Sequence, residues 1–250
     1  MSTHPAGAPD IRGAFNFRDL GGLTTSDGRR IRPGVLFRSD TLQALTDDDV
    51  ARLVDHWGIE LLVDLRMGRE AVAEGRGPLA NTGVCYLNAP LQDLAPSDRP
   101  EKEQTVGFYL DHLHSPDSAL ATALRVVCVQ AGRPLVVHCA AGKDRTGLVT
   151  ALLLRLLGVP DDAIVADYLR TAPNMPRIVQ RFLEWPRYRD HLTRVPAEVY
   201  RAEKHTMIGF LAAVDAIPGG AVGWANARGI DDVLIARLRD GLLESRPPQP

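Results

Sequence analysis

Two kinds of apolar pattern run along this chain: short solid blocks, and longer stretches in which apolar residues return every three or four positions. The blocks Val35–Ser39 (VLFRS), Ile59–Leu65 (IELLVDL), Val84–Leu87 and Pro134–His138 have the length of strands. Ile59–Leu65 is apolar at most positions, as a strand buried on both faces must be. Thr46 followed by Asp47, Asp48 and Asp49 predicts a helix running to about Trp57, with Thr46 as N-cap, acids at the positive end of the dipole and Gly58 as the stop. The aspartate run is therefore read as a helix start and not as a metal site. Arg69–Gly75 reads as a short helix or turn, and Pro90–Pro100 as a polar loop. Glu103–Leu113, Ser118–Ala131 and Lys143–Leu157 carry helical periodicity, the last ending at Gly158-Val159-Pro160. Beyond Asp161 the pattern is helical throughout: Asp161–Arg170, Pro176–Leu183, Ala197–Ala216 and Ile230–Leu243. Strands alternating with helices, then helices alone, predict an α/β fold: a mainly parallel central sheet flanked by helices, with a helical C-terminal part. Residues 1–250 are read as a single domain, with 161–210 as a helical lid within it and 1–12 as a leader.

Composition narrows the function classes. The chain has 250 residues, a formal net charge of −2 and 24% charged residues, so no global field draws it to nucleic acid or to a membrane surface. Attraction for an anion must be local. Its three cysteines, Cys85, Cys128 and Cys139, form no CxxC pair and make no disulfide framework, which suits a reducing compartment. The N-terminus lacks a basic stretch followed by an apolar one, and Leu148–Val159, the longest apolar run, is broken by Arg155 and too short to span a bilayer. The expectation is a cytoplasmic protein without stable membrane insertion; export without a recognisable signal stays open.

Against that background one stretch stands out: VVHCAAGKDRTG, residues 136–147. A buried strand ends at His138, where open α/β sheets hold their ligands. Ala140, Ala141 and Gly142 are small enough to let backbone N–H groups turn inward around one anion, and a helix begins at about Asp144 with its positive end toward the same point. Arg145, six positions after Cys139, offers a planar fork for two oxygens of a tetrahedral oxyanion. The same field acts on Cys139: an ordinary thiol titrates at about 8.5, and thiols at helix N-termini beside cations at roughly 3.5–7.5. A thiolate beneath a bound phosphate can attack phosphorus, with Thr146 donating to the sulfur and helping it leave. No metal and no cofactor is required by this chemistry.

The arrangement resembles the cysteine-dependent protein tyrosine phosphatases, whose signature is His-Cys, five residues, Arg, then Ser or Thr. His138, Cys139, Gly142, Arg145, Thr146 and Gly147 fit it. It is most similar to the bacterial broad-specificity tyrosine phosphatases with an HCxAGKDRTG loop, and the likeness extends to NFRDLGG, LFRSD and VDLR with the nearby Glu70, covering most of residues 15–158. The resemblance implies hydrolysis of phosphotyrosine through a phosphocysteine, with phosphoserine, phosphothreonine or phosphoinositides as further substrates. It implies that Lys143 meets extra phosphates of phosphoinositides and that Asp144 protonates the leaving oxygen. No WPD triplet exists, so the general acid stays open among Asp144, Asp64 and Asp93, ranked in that order; Asp111 lies inside a predicted helix.

Other residues are weighed against plain structural roles. His138 is read as a residue that orients the loop. Arg18, Asp19 and Arg38 are read as braces of the pocket, since buried charges need partners, and Arg66 as a brace or a substrate contact. Cys128 is read as core, and Cys85 as a partner for Cys139 only under oxidation. Met175, Trp185 and Tyr188 are read first as packing and second as the lining of a lid. His112 and His114, two apart on a helix, do not make a metal pair. Two other classes compete: a catalytically silent module that binds phosphoproteins or phosphoinositides, and a sulfurtransferase. Intact Cys139 and Arg145 disfavour the first, and Arg145 with Thr146-Gly147 disfavours the second. A Walker-type nucleotide site is excluded because Asp144 follows Lys143.

Overall fold

The structure, a computed structural model, describes residues 11–245 except 96, 117 and 193–196. Residues 1–10 of the predicted leader and the Pro-rich tail from 246 lie outside the described residues. The last two leader residues are anchored: Ile11 is buried, and the Arg12 N–H donates to Asp49 Oδ1 at 2.9 Å.

Five strands form one sheet: β1 (Arg18–Asp19), β2 (Leu36–Ser39), β3 (Leu61–Asp64), β4 (Cys85–Asn88) and β5 (Leu135–His138), in the order β1-β2-β5-β3-β4. β1 runs antiparallel to β2, and every other pair is parallel. Alternation along the strands divides the core in two. Leu36, Leu61, Val63, Leu135 and Val137 face the larger cluster, while Phe37, Leu62 and Val136 face the smaller one built on Phe17, Leu53 and Trp57. β2, β3 and β5 are buried at every position, as their solid apolar pattern requires, and β4 is a largely exposed edge.

The helices are α1 (Asp47–Ala51), α2 (Gly68–Glu74), α3 (Glu101–His114), α4 (Leu120–Gln130), α5 (Asp144–Leu157), α6 (Asp161–Leu169), α7 (Met175–Glu184), α8 (Pro186–Leu192), α9 (Lys204–Asp215), α10 (Gly220–Asn226) and α11 (Asp232–Leu242). The predicted capping of α1 is realised in full. Thr46 Oγ1 accepts from the Asp49 N–H, and Asp49 Oδ2 accepts from the Thr46 N–H. The helix continues as one wider turn, Arg52–His56, before Gly58 takes a φ of 65°. The predicted helix Ala197–Ala216 is instead a 3₁₀ turn, Ala197–Tyr200, followed by α9. Among the described residues no single helix is long and apolar enough to cross a membrane. The bent pair α9–α10 passes such a test by composition, but it spends Phe210, Leu211 and Trp224 on the core.

The register sets the site. Ser39, His138, Asp64 and Asn88 stand level with one another, so four strands end flush at one edge. α5 rises directly behind that edge, buried on almost every side, and residues 139–143 bridge β5 to its N-terminus.

Candidate active site

The 139–145 loop is shaped from behind. Asn16 Nδ2 donates to the Ala141 carbonyl at 3.2 Å and to the Gly142 carbonyl at 3.0 Å, Arg38 Nη2 donates to the Gly142 carbonyl at 2.7 Å, and the Thr41 N–H donates to the Ala140 carbonyl at 3.0 Å. Because a peptide is planar, holding its carbonyls outward turns the N–H groups of the same turn toward the sulfur. The Gly142 N–H reaches Cys139 Sγ at 3.3 Å. Gly142 has φ 66°, and a Cβ there would stand 2.4 Å from the Ser39 carbonyl oxygen and 2.6 Å from the Asp40 nitrogen. Only glycine meets both demands.

Arg145 is fixed by Glu70, with Nη1–Oε2 at 2.7 Å and Nη2–Oε1 at 3.2 Å, and Glu70 is itself held by the Met67 N–H at 2.8 Å. Asp93 Oδ2 stands 3.4 Å from Arg145 Nη2. Burial works against the Arg145 charge, yet Asp93, Glu70 and Cys139 together hold the guanidinium protonated well above its ordinary range. The result is a fixed cation, oriented two-pronged, beside the thiol.

Behind the loop lies a buried network. Arg18 Nε and Arg38 Nη1 each stand 2.7 Å from Asp167, and Arg18 also donates to Asn16. Burial opposes ionisation of Asp167, but the two guanidiniums bring its pKa down to about 2. Arg18 and Arg38 are therefore braces, as the sequence suggested. The Asp19 carboxylate accepts from the Gly21 and Gly34 N–H groups at 2.8 Å each and shapes the turn after β1.

The acids separate clearly. Asp144 opens α5, with Lys143 Nζ at 3.2 Å and Tyr109 Oη at 3.4 Å from Oδ1, and it lines the cavity over Cys139. Burial raises its pKa despite Lys143, so its proton is retained to higher pH than an ordinary aspartic acid allows. Asp93 lines the same cavity from the 90–100 loop. Asp64 is withdrawn from the three. It is wholly buried and accepts from Arg66 Nε and Nη2, the Arg66 N–H and Tyr86 Oη. Burial opposes its charge, but His138 and Arg66 hold it at about 2, so it keeps no proton to give. Arg66, 1% exposed and also donating to the Gly75 carbonyl, is a brace and not a substrate contact. His138 is buried, its pKa pushed down by desolvation, and its Nδ1 lies 3.3 Å from the Cys139 carbonyl oxygen.

A cover closes the site. Phe182 and Tyr188, from α7 and α8, join Val199 and Tyr200 over a cavity of about 30 Å³ whose floor is Cys139 and Arg145, each 2% exposed. Met175, Ile178, Phe182 and Tyr188 pack on Ala140, and Trp185 joins them. Lys143 lines this cavity, but its ammonium is 1% exposed and donates to the carbonyls of Val199 and Arg201, so it grips the cover and does not stand free for a second phosphate. The Thr146 hydroxyl is buried without a hydrogen-bond partner, and the expected bond to the sulfur is absent among the described residues. A bridge between Cys85 and Cys139 under oxidation is excluded by register. Cys85 is level with Leu61 and Leu135, at the opposite end of the sheet and two strands away, which separates the Cα atoms by roughly 16 Å. Cys128 is core, its thiol pushed up to about 11 by burial.

Five residues of this assembly carried no assigned role in the sequence reading. Glu70 was visible as an acid near VDLR. Asn16, Asp167 and the Asp40–Arg181 pair, at 3.3 Å, read locally as ordinary polar positions. Asn16 and Asp40 fall inside the family-like NFRDLGG and LFRSD, but the partners that give them, Asp167 and Arg181 their roles lie more than a hundred residues away.

A sequence model described as the tyrosine phosphatase family matches residues 9–244. The triple specificity protein phosphatase PtpB of Mycobacterium tuberculosis is 31% identical over 277 residues, covering 94% of this chain and 98% of that protein. A putative tyrosine-protein phosphatase of Cupriavidus necator is 33% identical over 166 residues, 62% of this chain and 60% of its own. Among solved structures, the core catalytic domain of the PP-IP phosphatase SIW14 from S. cerevisiae is similar at 20% identity and a TM-score of 0.40, over 68% of this chain and 84% of that one.

Proposed function

The chain belongs to the tyrosine phosphatase family, and from that premise we propose that it hydrolyses phosphotyrosine in proteins through a phosphocysteine at Cys139. The observation that carries this is the sulfur's setting: the Gly142 N–H lies 3.3 Å from Sγ, and Arg145 is locked beside it by Glu70. The Cys139 thiolate attacks phosphorus while the bond to the leaving oxygen breaks. Loop N–H groups and Arg145 hold the equatorial oxygens. Asp144 gives its proton to the departing phenolate, and the Asp144 carboxylate then takes a proton from the water that cleaves the sulfur–phosphorus bond. Inorganic phosphate leaves and the thiolate is restored.

The substrate range extends to phosphoserine, phosphothreonine and phosphoinositides; the triple specificity named for the Mycobacterium tuberculosis relative supports this breadth. The cavity over Cys139 is only about 30 Å³ and is covered by Phe182, Tyr188, Val199 and Tyr200, so α7, α8 and the Ala197–Tyr200 turn act as a lid that swings aside to admit an aryl phosphate. Three free thiols support a reducing, cytoplasmic setting. The test is turnover of para-nitrophenyl phosphate in EDTA, with vanadate inhibiting. Cys139→Ser should lower kcat at least about a thousandfold, and rapid acid quench of the wild type should recover phosphorus on Cys139. Metal-dependent turnover, or a Cys139→Ser protein that retains its rate, contradicts the mechanism, and phosphate binding without any turnover favours a silent module.

A further inference from the structure

A second and much larger concavity, of about 560 Å³, opens beside the catalytic cavity, between the 90–99 loop and α3. The two share one wall. Asp93 lines both, one-third exposed, with its carboxylate 3.4 Å from Arg145. A chain whose phosphoryl group sits on Cys139 and which continues past Asp93 therefore enters this pocket.

Its chemistry is specific. Met67 and Phe108 give it an apolar floor. Gln104, only 7% exposed, also lines it. Gln104 Nε2 donates to the Arg99 carbonyl at 3.3 Å, which orients the amide, and Oε1 is left buried with no partner. A buried acceptor without a donor is unfavourable until a ligand supplies one. The charges point the same way. Asp93 and Asp111 bring two carboxylates. The single guanidinium, Arg99, is spent on Asp111 through two contacts of 2.7 Å. His112 is kept neutral by burial, its ring nitrogens 2.9 Å from Ser118 Oγ and 3.3 Å from the Gln92 carbonyl oxygen. The described lining thus brings two carboxylates and one guanidinium, Asp111 facing Arg99 and Asp93 facing Arg145 at the shared wall, together with the unsatisfied Gln104 acceptor and the apolar Met67 and Phe108. Extra phosphates of an inositol headgroup would find no unspent cation there, whereas the stem and head of a lysine or arginine match floor, acceptor and charge.

We propose that this pocket is a substrate subsite that accepts a lysine or arginine side chain flanking the phosphorylated residue of a peptide. The proposal rests on the phosphatase reading above. It is tested with phosphotyrosine peptides carrying Lys, Ala or Glu at each of the three positions on either side, every rate referred to para-nitrophenyl phosphate, which ends at the ring. In the wild-type protein one flanking position should favour Lys over Ala by about fivefold in kcat/KM, the worth of one net polar contact, and disfavour Glu. Gln104→Leu should erase most of that ratio. Asp111→Asn, at an exposed side chain, should release Arg99 and turn the preference toward Glu. A flat wild-type profile overturns the subsite, as does a Lys preference that survives both variants. A soluble phosphoinositide whose turnover, and not that of the peptides, falls in Gln104→Leu would assign the pocket to a headgroup instead. Absence of turnover on para-nitrophenyl phosphate and on all peptides would strike the phosphatase reading itself, and the subsite with it.

Discussion

Asp144 shares Oδ1 between Lys143 and Tyr109 at the first turn of α5, and burial raises its pKa. A raised acid stays protonated as pH climbs and loses its proton only above the ordinary carboxyl range. Activity that needs that proton must then fall as pH rises through the raised value. How much this matters depends on the leaving group, because a phenolate departs with little help and an alkoxide does not. Asp144→Asn should therefore cost about 10²–10⁴ in kcat/KM on a phosphoserine peptide, and far less on para-nitrophenyl phosphate. The descending alkaline limb expected of the wild type with phosphoserine should vanish in the variant. If both substrates lose equally, or the limb persists, the acid is Asp93, whose variant then shows the pattern.

At the scale of elements, the cradle depends on Gly142 passing under the backbone of Ser39 and Asp40. Gly142→Ala adds a methyl group 2.4 Å from a backbone oxygen at a φ of 66°, where neither atom can give way cheaply. Activity should fall at least about a hundredfold even in variants whose circular dichroism is native. The lid is held by two fasteners, Lys143 on the carbonyls of Val199 and Arg201, and Arg181 on Asp40. Arg181→Gln loosens one of them without touching the 139–145 loop. Alkylation of Cys139 by iodoacetamide should accelerate several-fold, with exposed Cys85 as the internal reference; an unchanged ratio of the two rates would remove Arg181 from the lid. The cradle itself was legible in the sequence because it is contiguous: strand, small-residue turn, helix and Arg145 fall within eleven residues. Its braces were not. Asn16 lies in the family-like NFRDLGG and Asp167 in an ordinary helical VADYL, and both act on residues more than a hundred positions distant, which no local spacing reveals. Lys143 shows a related gap: a lysine beside an anion site reads as a substrate contact, and nothing local announces the cover carbonyls of Val199 and Arg201 that its ammonium meets. α10 escaped the helical periodicity because its seven residues include two glycines.

Over the whole molecule, buried charge makes folding depend on pH in two opposite ways. Asp167 and Asp64 titrate at about 2 in the folded protein, below their unfolded value of about 3.9. Their contribution is complete above the unfolded value and is lost as pH falls through 2, so acid should unfold the protein steeply below about pH 4. Asp40 behaves inversely. It is buried between Asn16 and Arg181, and desolvation raises its pKa to about 6. Between the unfolded value and 6 the folded state binds a proton that the unfolded chain does not, so this group adds stability as pH falls from 7. Buried His112 and His138, with lowered pKa values, subtract stability over part of the same range. The Asp40 contribution is therefore read from a difference. Relative to Asp40→Asn, the wild type should gain about 1 kcal/mol in unfolding free energy between pH 7 and 5, and about 2 kcal/mol by pH 4. Urea denaturation of both proteins at the three pH values, with the histidines common to both, isolates it. Asp40 also holds the backbone of Asn16, which holds the loop, and it anchors Arg181 of the lid. The proton that stabilises the fold thus weakens the lid's fastener, so between pH 7 and 5 iodoacetamide access to Cys139, corrected for its thiolate fraction, should rise in the wild type and stay level in Arg181→Gln. A parallel response in the two proteins would mean that Asp40 titrates without moving the lid.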